Sequence, residues 1–403
     1  MKKNVFAPIL VCLFLTAFPV SAQNDEVPES RPFQLSVFPF VGTEGVNSHK
    51  YVYDVSLNLF GGVTGGVDGI EFGGFLNINR YSVTGLQASG FGNITGGEVD
   101  GVQFSGFFNL SGSNVKGIQG AGFLNIVNGD ARVLQGAGFG NIISGNSRGL
   151  QGSGFAGITS GNFEGVQASG FSSVTGGKLS GVQISGFAGI AGEVDGVQGS
   201  GFANVAGRVE GIQVAGIVNV AGNVKGVQIG VVNIADSVDG FPIGLVSIVR
   251  DGYQKVEFWG GDAMNLGIGI KTGVRRFYNF LTLGAQFLHD NTVISYGYGI
   301  GSEFILRDER YLNVEIISHY LMENRWWEYD RINVLNQLRV TYATDIDNRW
   351  QFFAGPVLNV QVVRAGSEGN SGTRVAPYHI FEFSSRHTDT WVWAGINAGF
   401  RFW

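Results

Sequence analysis

Residues 101–129 read GVQFSGFFNLSGSNVKGIQGAGFLNIVNG. Gly-Val-Gln at 101–103 returns as Gly-Ile-Gln at 117–119, and Gly-Phe at 106–107 returns at 122–123, sixteen residues on in both cases. A fixed return of this kind marks a repeat architecture, in which each unit buries itself against its neighbours. Outward from this stretch, phenylalanine stands at Phe75, Phe91, Phe107, Phe123, Phe139, Phe155, Phe171 and Phe187, and the series continues at Phe202 and Ile217 with a spacing of fifteen. Glutamine runs in step at Gln87, Gln103, Gln119, Gln135, Gln151, Gln167, Gln183, Gln198, Gln213 and Gln228. Asparagine follows most of the phenylalanines by two residues, as at Asn77, Asn93, Asn109, Asn125 and Asn141. The pattern fades through 229–250, where Pro242 takes the glutamine slot.

Each repeat also halves. Val99, Val102, Phe107, Leu110, Val115 and Ile118 are spaced alternately by three and five, each half carrying apolar-x-Gly/Asn-apolar. Gly and Asn best tolerate left-handed backbone, so their equivalent placement predicts two corners per coil. Short runs of Val, Ile, Phe, Gln and Ser between corners suit strands, and glycine at this density disfavours helix. The expectation is an all-β chain: a two-sided β-solenoid of about eleven 16-residue coils, its Gln and Asn able to bond along the axis. A rival layout makes each repeat one strand of a large meander or barrel, but neither face of GVQFSGFFNL is a convincing lipid face. Strict alternation puts Phe107 on the same face as Gln103. A bend at the Ser/Ala-Gly pair before each Phe resets that parity and turns Phe inward with Val and Ile. Gln87, Gln103, Gln119, Gln135, Gln151, Gln167 and Gln183 are then the candidate interaction surface of the repeats. The other orientation displays an aromatic stripe as a binding surface.

The chain has 403 residues, 65 of them glycine, with 14% charged and 13% aromatic residues. That is wrong for a disordered chain, and no Gly-X-Y period exists. A net charge of −6 argues against a nucleic-acid partner. Residues 1–22 read as an export signal: Lys2 and Lys3, an apolar stretch from Val5 to Val20, and Val20-Ser21-Ala22 before Gln23. The one cysteine, Cys12, falls inside it, so the mature chain has no thiol for disulfide, nucleophile or metal. Residues 23–32 read as a linker, and 33–70 as strands capping the repeat region, 71–250.

Near Gly252 glycine thins and aromatics rise. Eight alternating segments follow within 251–403, at about 253–260, 264–273, 277–288, 293–306, 311–322, 332–344, 351–363 and 391–402. An even count with one apolar and one polar face predicts a small, about 8-stranded antiparallel outer-membrane-type β-barrel. The alternative is a soluble β-sandwich. A barrel of eight strands has an interior that side chains just fill, which makes Glu303, Glu315, Arg339 and Arg401 candidate interior charges. Residues 364–390, polar and Gly-rich, suit an external loop.

SVFPFVGTEG, SLNLFGG, the GVQxSGFxN repeats and TGVRRFYNFLTLGAQF together resemble the glycine-rich surface-repeat outer-membrane proteins of Gram-negative bacteria. The resemblance covers most of the mature chain and implies an outer-membrane address; the family carries no established activity.

The residues assign no catalytic, cofactor or metal site. Gly267-Ile268-Gly269 and the Gly297–Gly301 run precede no helix, so they are not phosphate loops. Asp100, Asp195 and Asp239 read as solvated turn residues, and His49, His289, His319, His379 and His387 as surface histidines. Ser318-His319 near Glu315 and Tyr320 offers a lipid-hydrolysing pair, but adjacent strand residues point to opposite faces. The expected protein is a non-enzymatic outer-membrane anchor carrying a solenoid as spacer or interaction surface. Its expected partners are outer-membrane lipid, the barrel-assembly machinery through the aromatic C-terminal strand, and an unknown protein or glycan. The alternatives are an adhesive or ligand-binding repeat protein, and a lipid-acting enzyme.

Overall fold

The structure, a computed structural model, describes residues 29–289, 292–307, 310–323, 332–347, 349–364, 373–385 and 388–402. The expected signal, 1–22, lies outside the described residues, as do 23–28 of the expected linker. The chain forms a β-solenoid of about twelve turns and a closed eight-stranded antiparallel β-barrel. By internal contacts it divides into two compact units, one ending at Ser200 and one beginning at Gly201.

The first unit opens with strand Glu29–Phe38, which takes in the end of the expected linker and pairs in parallel with Tyr51–Asn58. Tyr51–Asn58 in turn pairs in parallel with Gly66–Gly73. From there to Ser169 each coil has one seven-residue strand, such as Val99–Ser105, and one four-residue strand, such as Phe108–Ser111, and from Ser172 on the two run together, as in Ser172–Ser185. Long pairs with long, Gln103 opposite Gln119, and short with short, Asn109 opposite Asn125. The sixteen-residue period is therefore one complete coil.

The interior corrects two sequence expectations. The expected bend is present, at Gly106-Phe107, and puts Phe107 and Gln103 on opposite faces, but with Phe outward and Gln inward. Within the long strand Val99 and Gln103 point in while Phe104 points out. Phe107, at the following corner, is 42% exposed. Asn109 was assigned to a corner; it is fully buried in the short strand, two residues from buried Ser111. The core of each coil thus places a Gln, and in most coils an Asn, beside small or apolar residues: Val99 and Ser111 in one coil, Val115 and Val127 in the next. Buried amides need partners. The stack supplies them, because identical amides recur at the coil spacing.

Left-handed glycine is used inside the long strand instead. Gly117 has φ +121°, and a Cβ there would meet the Gly101 carbonyl oxygen at 1.9 Å. The backbone turns so tightly against the preceding coil that a side chain has no place.

In the second unit, strands Ala203–Ala215, Val218–Ile229, Val232–Ile243 and Val246–Val249 continue the parallel coil pattern. The Gln slot ends where Gln228 pairs with Pro242, which has no N–H to donate. The barrel follows: β1 (Tyr253–Gly261), β2 (Leu266–Val274), β3 (Phe277–Phe287), β4 (Thr292–Ile305), β5 (Arg310–Glu323), β6 (Ile332–Asp345), β7 (Trp350–Arg364) and β8 (Thr388–Phe402). Neighbours are antiparallel, and β8 closes on β1 with Val256 opposite Phe402 and Gly261 opposite Asn397. Each of the eight alternating segments read from the sequence is one of these strands. Part of the expected external loop, Phe381–Ser385, is a short strand on β8. The last solenoid coil touches the barrel end where β1 starts and β8 finishes: Tyr298 Oη donates to the Gly244 carbonyl at 2.7 Å.

Candidate functional site

The barrel inverts the polarity of a soluble protein. Ile268, Ile270, Leu281, Leu283, Ile316 and Ile396 are 40–69% exposed on its outside. Their sequence neighbours, Lys271, Thr282, Glu315 and Asn397, are buried inside. Strand alternation alone produces this, since successive side chains leave opposite faces.

Glu303, Glu315, Arg339 and Arg401 all lie in that interior, none more than 6% exposed. Two charges that the sequence reading did not single out complete their pairing. Glu257 on β1 and Lys271 on β2, both fully buried, join Glu315 and Arg339 in a four-membered ring of alternating sign. Lys271 Nζ lies 2.5 Å from Glu315 and pairs with Glu257; Arg339 lies 2.5 Å from each carboxylate. Tyr278 Oη donates to Glu315 at 2.6 Å. Trp259, Phe280 and Phe353 pack as a buried apolar cluster, with the Arg339 guanidinium 5.0 Å from the Phe280 ring centre. Charge this dry is tolerable because every ion faces two of opposite sign. The missed signal was a lone charge on the Gly face of a short alternating segment, as in IGIKTG.

Glu303 and Arg401 form a second group. Their ion pair spans 3.4 Å, Tyr253 Oη donates to Glu303 at 2.9 Å, and Arg401 donates to Asn313 and Gln351 at 2.8 Å. Further along, His319 contacts Gln337 at 3.0 Å, and Gln337 donates to Asn359 at 2.7 Å. His319, expected at the surface, is therefore buried, while Ser318 faces outward. The two do not share a site. Near β1's far end, Met264, Leu335, Trp391 and Trp393 pack with Val375 and Ala376 from the 373–379 segment as an apolar plug. At the other mouth an open cleft of about 590 Å³ is lined by Lys255, Arg275, Tyr311, Asp345 and Arg349. Charged, polar and apolar layers thus follow one another along the described interior.

The solenoid carries the second feature. Gln87, Gln103, Gln119, Gln135, Gln151, Gln167 and Gln183 are not a surface: none is more than 3% exposed. They are an interior ladder: from Gln103 on, each donates Nε2 to the glutamine Oε1 one coil back, at 2.6 Å for Gln119 to Gln103 and 2.8 Å for Gln183 to Gln167. Asn109 donates to Asn125 and to the Gly120 carbonyl, both at 2.9 Å, so both its amide hydrogens are used. Glu71 stands one coil before Gln87, in the glutamine slot, and is buried. It accepts from Ser56, Asn58, Asn79 and Gln87. Burial holds its carboxyl above the ordinary range, against the pull of those four donors.

Outside, the phenylalanines form a continuous ridge. Rings of successive coils from Phe75 to Phe187 stack with centroids 4.6–5.2 Å apart and planes within 15°. That spacing is the coil rise, so the corner geometry itself sets the stack. Asp100, Asp195 and Asp239 lie along the charged margin of the coils; Asp100 and Asp195 pair with Lys116 and Lys178 at 2.7 and 2.8 Å. No family model, no curated protein and no solved structure matches this chain.

Proposed function

We propose that the protein is a non-enzymatic component of a Gram-negative outer membrane: a barrel anchor, sealed across its lumen, carrying a repeat solenoid as spacer or interaction surface. The observation that carries this is the inverted polarity of the barrel, apolar outside and ion-paired inside. An eight-stranded barrel returns its two ends to one side, so the repeats preceding β1 belong on the periplasmic face. The aromatic β8, ending in Phe400-Arg401-Phe402, is the segment offered to the barrel-assembly machinery.

Fractionation tests the reading. The protein should sediment with outer membranes and shift its mobility on heating in detergent. Recovery as a soluble periplasmic protein overturns it. Protease shaving of intact cells tests the sidedness: cleavage within 85–240 would mean outward display.

A second reading, an adhesive or ligand-binding repeat protein, is favoured by the exposed phenylalanine ridge. It differs in predicting that ridge substitutions abolish binding to a protein or glycan without affecting membrane insertion.

A further inference from the structure

The solenoid buries its Gln and Asn and shows apolar side chains outside, and nearly all its exposed charge lies at one edge. In the coil that begins at Val99, the outward residues between Gly101 and Ser113 include Val102, Phe104, Phe107, Phe108 and Leu110. Apart from Arg80 in the first of them, the equivalent outward positions of the coils from Val67 to Ser200 hold no Asp, Glu, Lys or Arg. The charges sit beside the buried first residue of each coil: Asp100, Lys116, Asp130, Arg132, Arg148 and Glu164 are examples. The cross-section is therefore a wedge with one charged edge, two apolar faces and an aromatic ridge opposite the charge.

The geometry points to the hydrocarbon of a lipid bilayer as what covers this surface, with the solenoid lying along the membrane, ridge inward and charged edge in water. Three observations carry it. The apolar surface wraps both faces and the ridge; a protein partner or a second copy packs on one face, whereas acyl chains surround all three. Hydrocarbon also demands that every backbone polar group be bonded internally. The ridge corner meets this: Phe107 N donates to the Phe91 carbonyl at 2.8 Å, Phe123 N to Phe107 at 2.9 Å, and Gly122 N to Ser105 at 3.2 Å. Finally, the charged edge runs the length of the coils. An upright solenoid would draw that stripe through hydrocarbon, so the axis lies in the membrane plane, with a ridge about 35 Å long at the strand spacing. The inference deepens the interaction-surface part of the proposed function and shares its requirement for a membrane.

The test uses the full chain in phosphatidylcholine–phosphatidylglycerol vesicles, in a Cys12→Ser background. Single spin labels are placed at Phe139→Cys on the ridge, Ile118→Cys on a face, Arg132→Cys on the charged edge and Leu283→Cys on the barrel exterior. Collisional relaxation is measured with oxygen, which concentrates in lipid, and with a water-soluble nickel chelate. Labels at 139 and 118 should relax faster with oxygen, and the label at 132 with nickel. A label at 139 that responds to nickel overturns the inference, as does one shielded from both reagents. Dipolar broadening between copies would then identify a second chain as the cover. The label at 283 separates the two readings. Oxygen response there with nickel response at 139 leaves the barrel in lipid and the ridge in water. The reverse sinks the barrel reading alone. Phe155→Cys replaces Phe139→Cys if circular dichroism shows that the latter loses its β-structure.

Discussion

Gln119 donates its Nε2 hydrogen to Oε1 of Gln103, sixteen residues earlier, at 2.6 Å and in an interior where both are almost fully buried. The next rung, Gln135 to Gln119, has the same length. Each amide therefore depends on both neighbours. Gln119→Leu keeps approximate volume but strands the Gln103 oxygen and the Gln135 amide. An unpaired buried group costs about 1–3 kcal/mol, so two should lower the urea midpoint of the solenoid clearly. Hydrogen exchange should rise first in coils 99–145. A variant as protected as wild type would mean that the ladder contributes nothing.

The same ladder explains what the sequence made legible and what it did not. Coil length followed from the Gln and Phe periods, and all eight barrel strands from alternation with its turns. Taken one residue at a time, Phe ranks as interior and Gln as exterior, which turns Phe107 the wrong way. In a stack the ranking reverses. Gln103 finds an identical amide one coil away, and Phe107 finds an identical ring outside. The barrel charges Glu315 and Arg339 were legible from strand parity. Glu257 and Lys271 were not singled out, because a lone charge in a short segment resembles an exposed one until closure brings β1, β2, β5 and β6 together.

Glu71 makes the solenoid's stability depend on pH. Burial raises its folded carboxyl above the unfolded value of about 4.3, so the folded chain holds a proton that the unfolded chain has released. Its contribution is full below the unfolded value and is lost as pH rises through the folded one. Glu71→Gln, which restores the residue found in the following coils, should remove that loss. Urea midpoints of wild type and variant, compared at pH 5 and pH 8, should diverge in the variant's favour at the higher pH. A constant difference between the two pH values would refute the assignment.

Arg339 bridges two carboxylates, and nothing else in the ring can replace it. Arg339→Ala leaves Glu257 and Glu315 sharing Lys271 alone, and removing one partner of a buried ionic group costs about 3–5 kcal/mol. The temperature at which the detergent-folded barrel shifts to its unfolded mobility should fall. Arg339→Lys should rescue only in part, because an ammonium lacks the planar fork that meets both carboxylates. Full rescue by lysine would show that charge alone matters there.

Gly117 and Gly136 predict opposite outcomes for the same substitution. At Gly117 a methyl group would lie 1.9 Å from the Gly101 carbonyl oxygen, on backbone with φ +121°. That oxygen belongs to the preceding coil, so relief requires the stack to separate locally. Backbone strain of this kind costs about 1–3 kcal/mol before the clash is counted. At Gly136 an added Cβ meets nothing within 4 Å, and the equivalent positions three coils before and two coils after carry Ala88 and Ala168. Gly136→Ala should therefore leave the urea midpoint of the solenoid unchanged or slightly raised, since alanine restricts the unfolded chain more than glycine does. Gly117→Ala should lower it and open coils 99–130 to proteolysis. Equal midpoints for the two variants would show that coils slide apart freely at that glycine, against the tight stacking on which the ridge and ladder both depend.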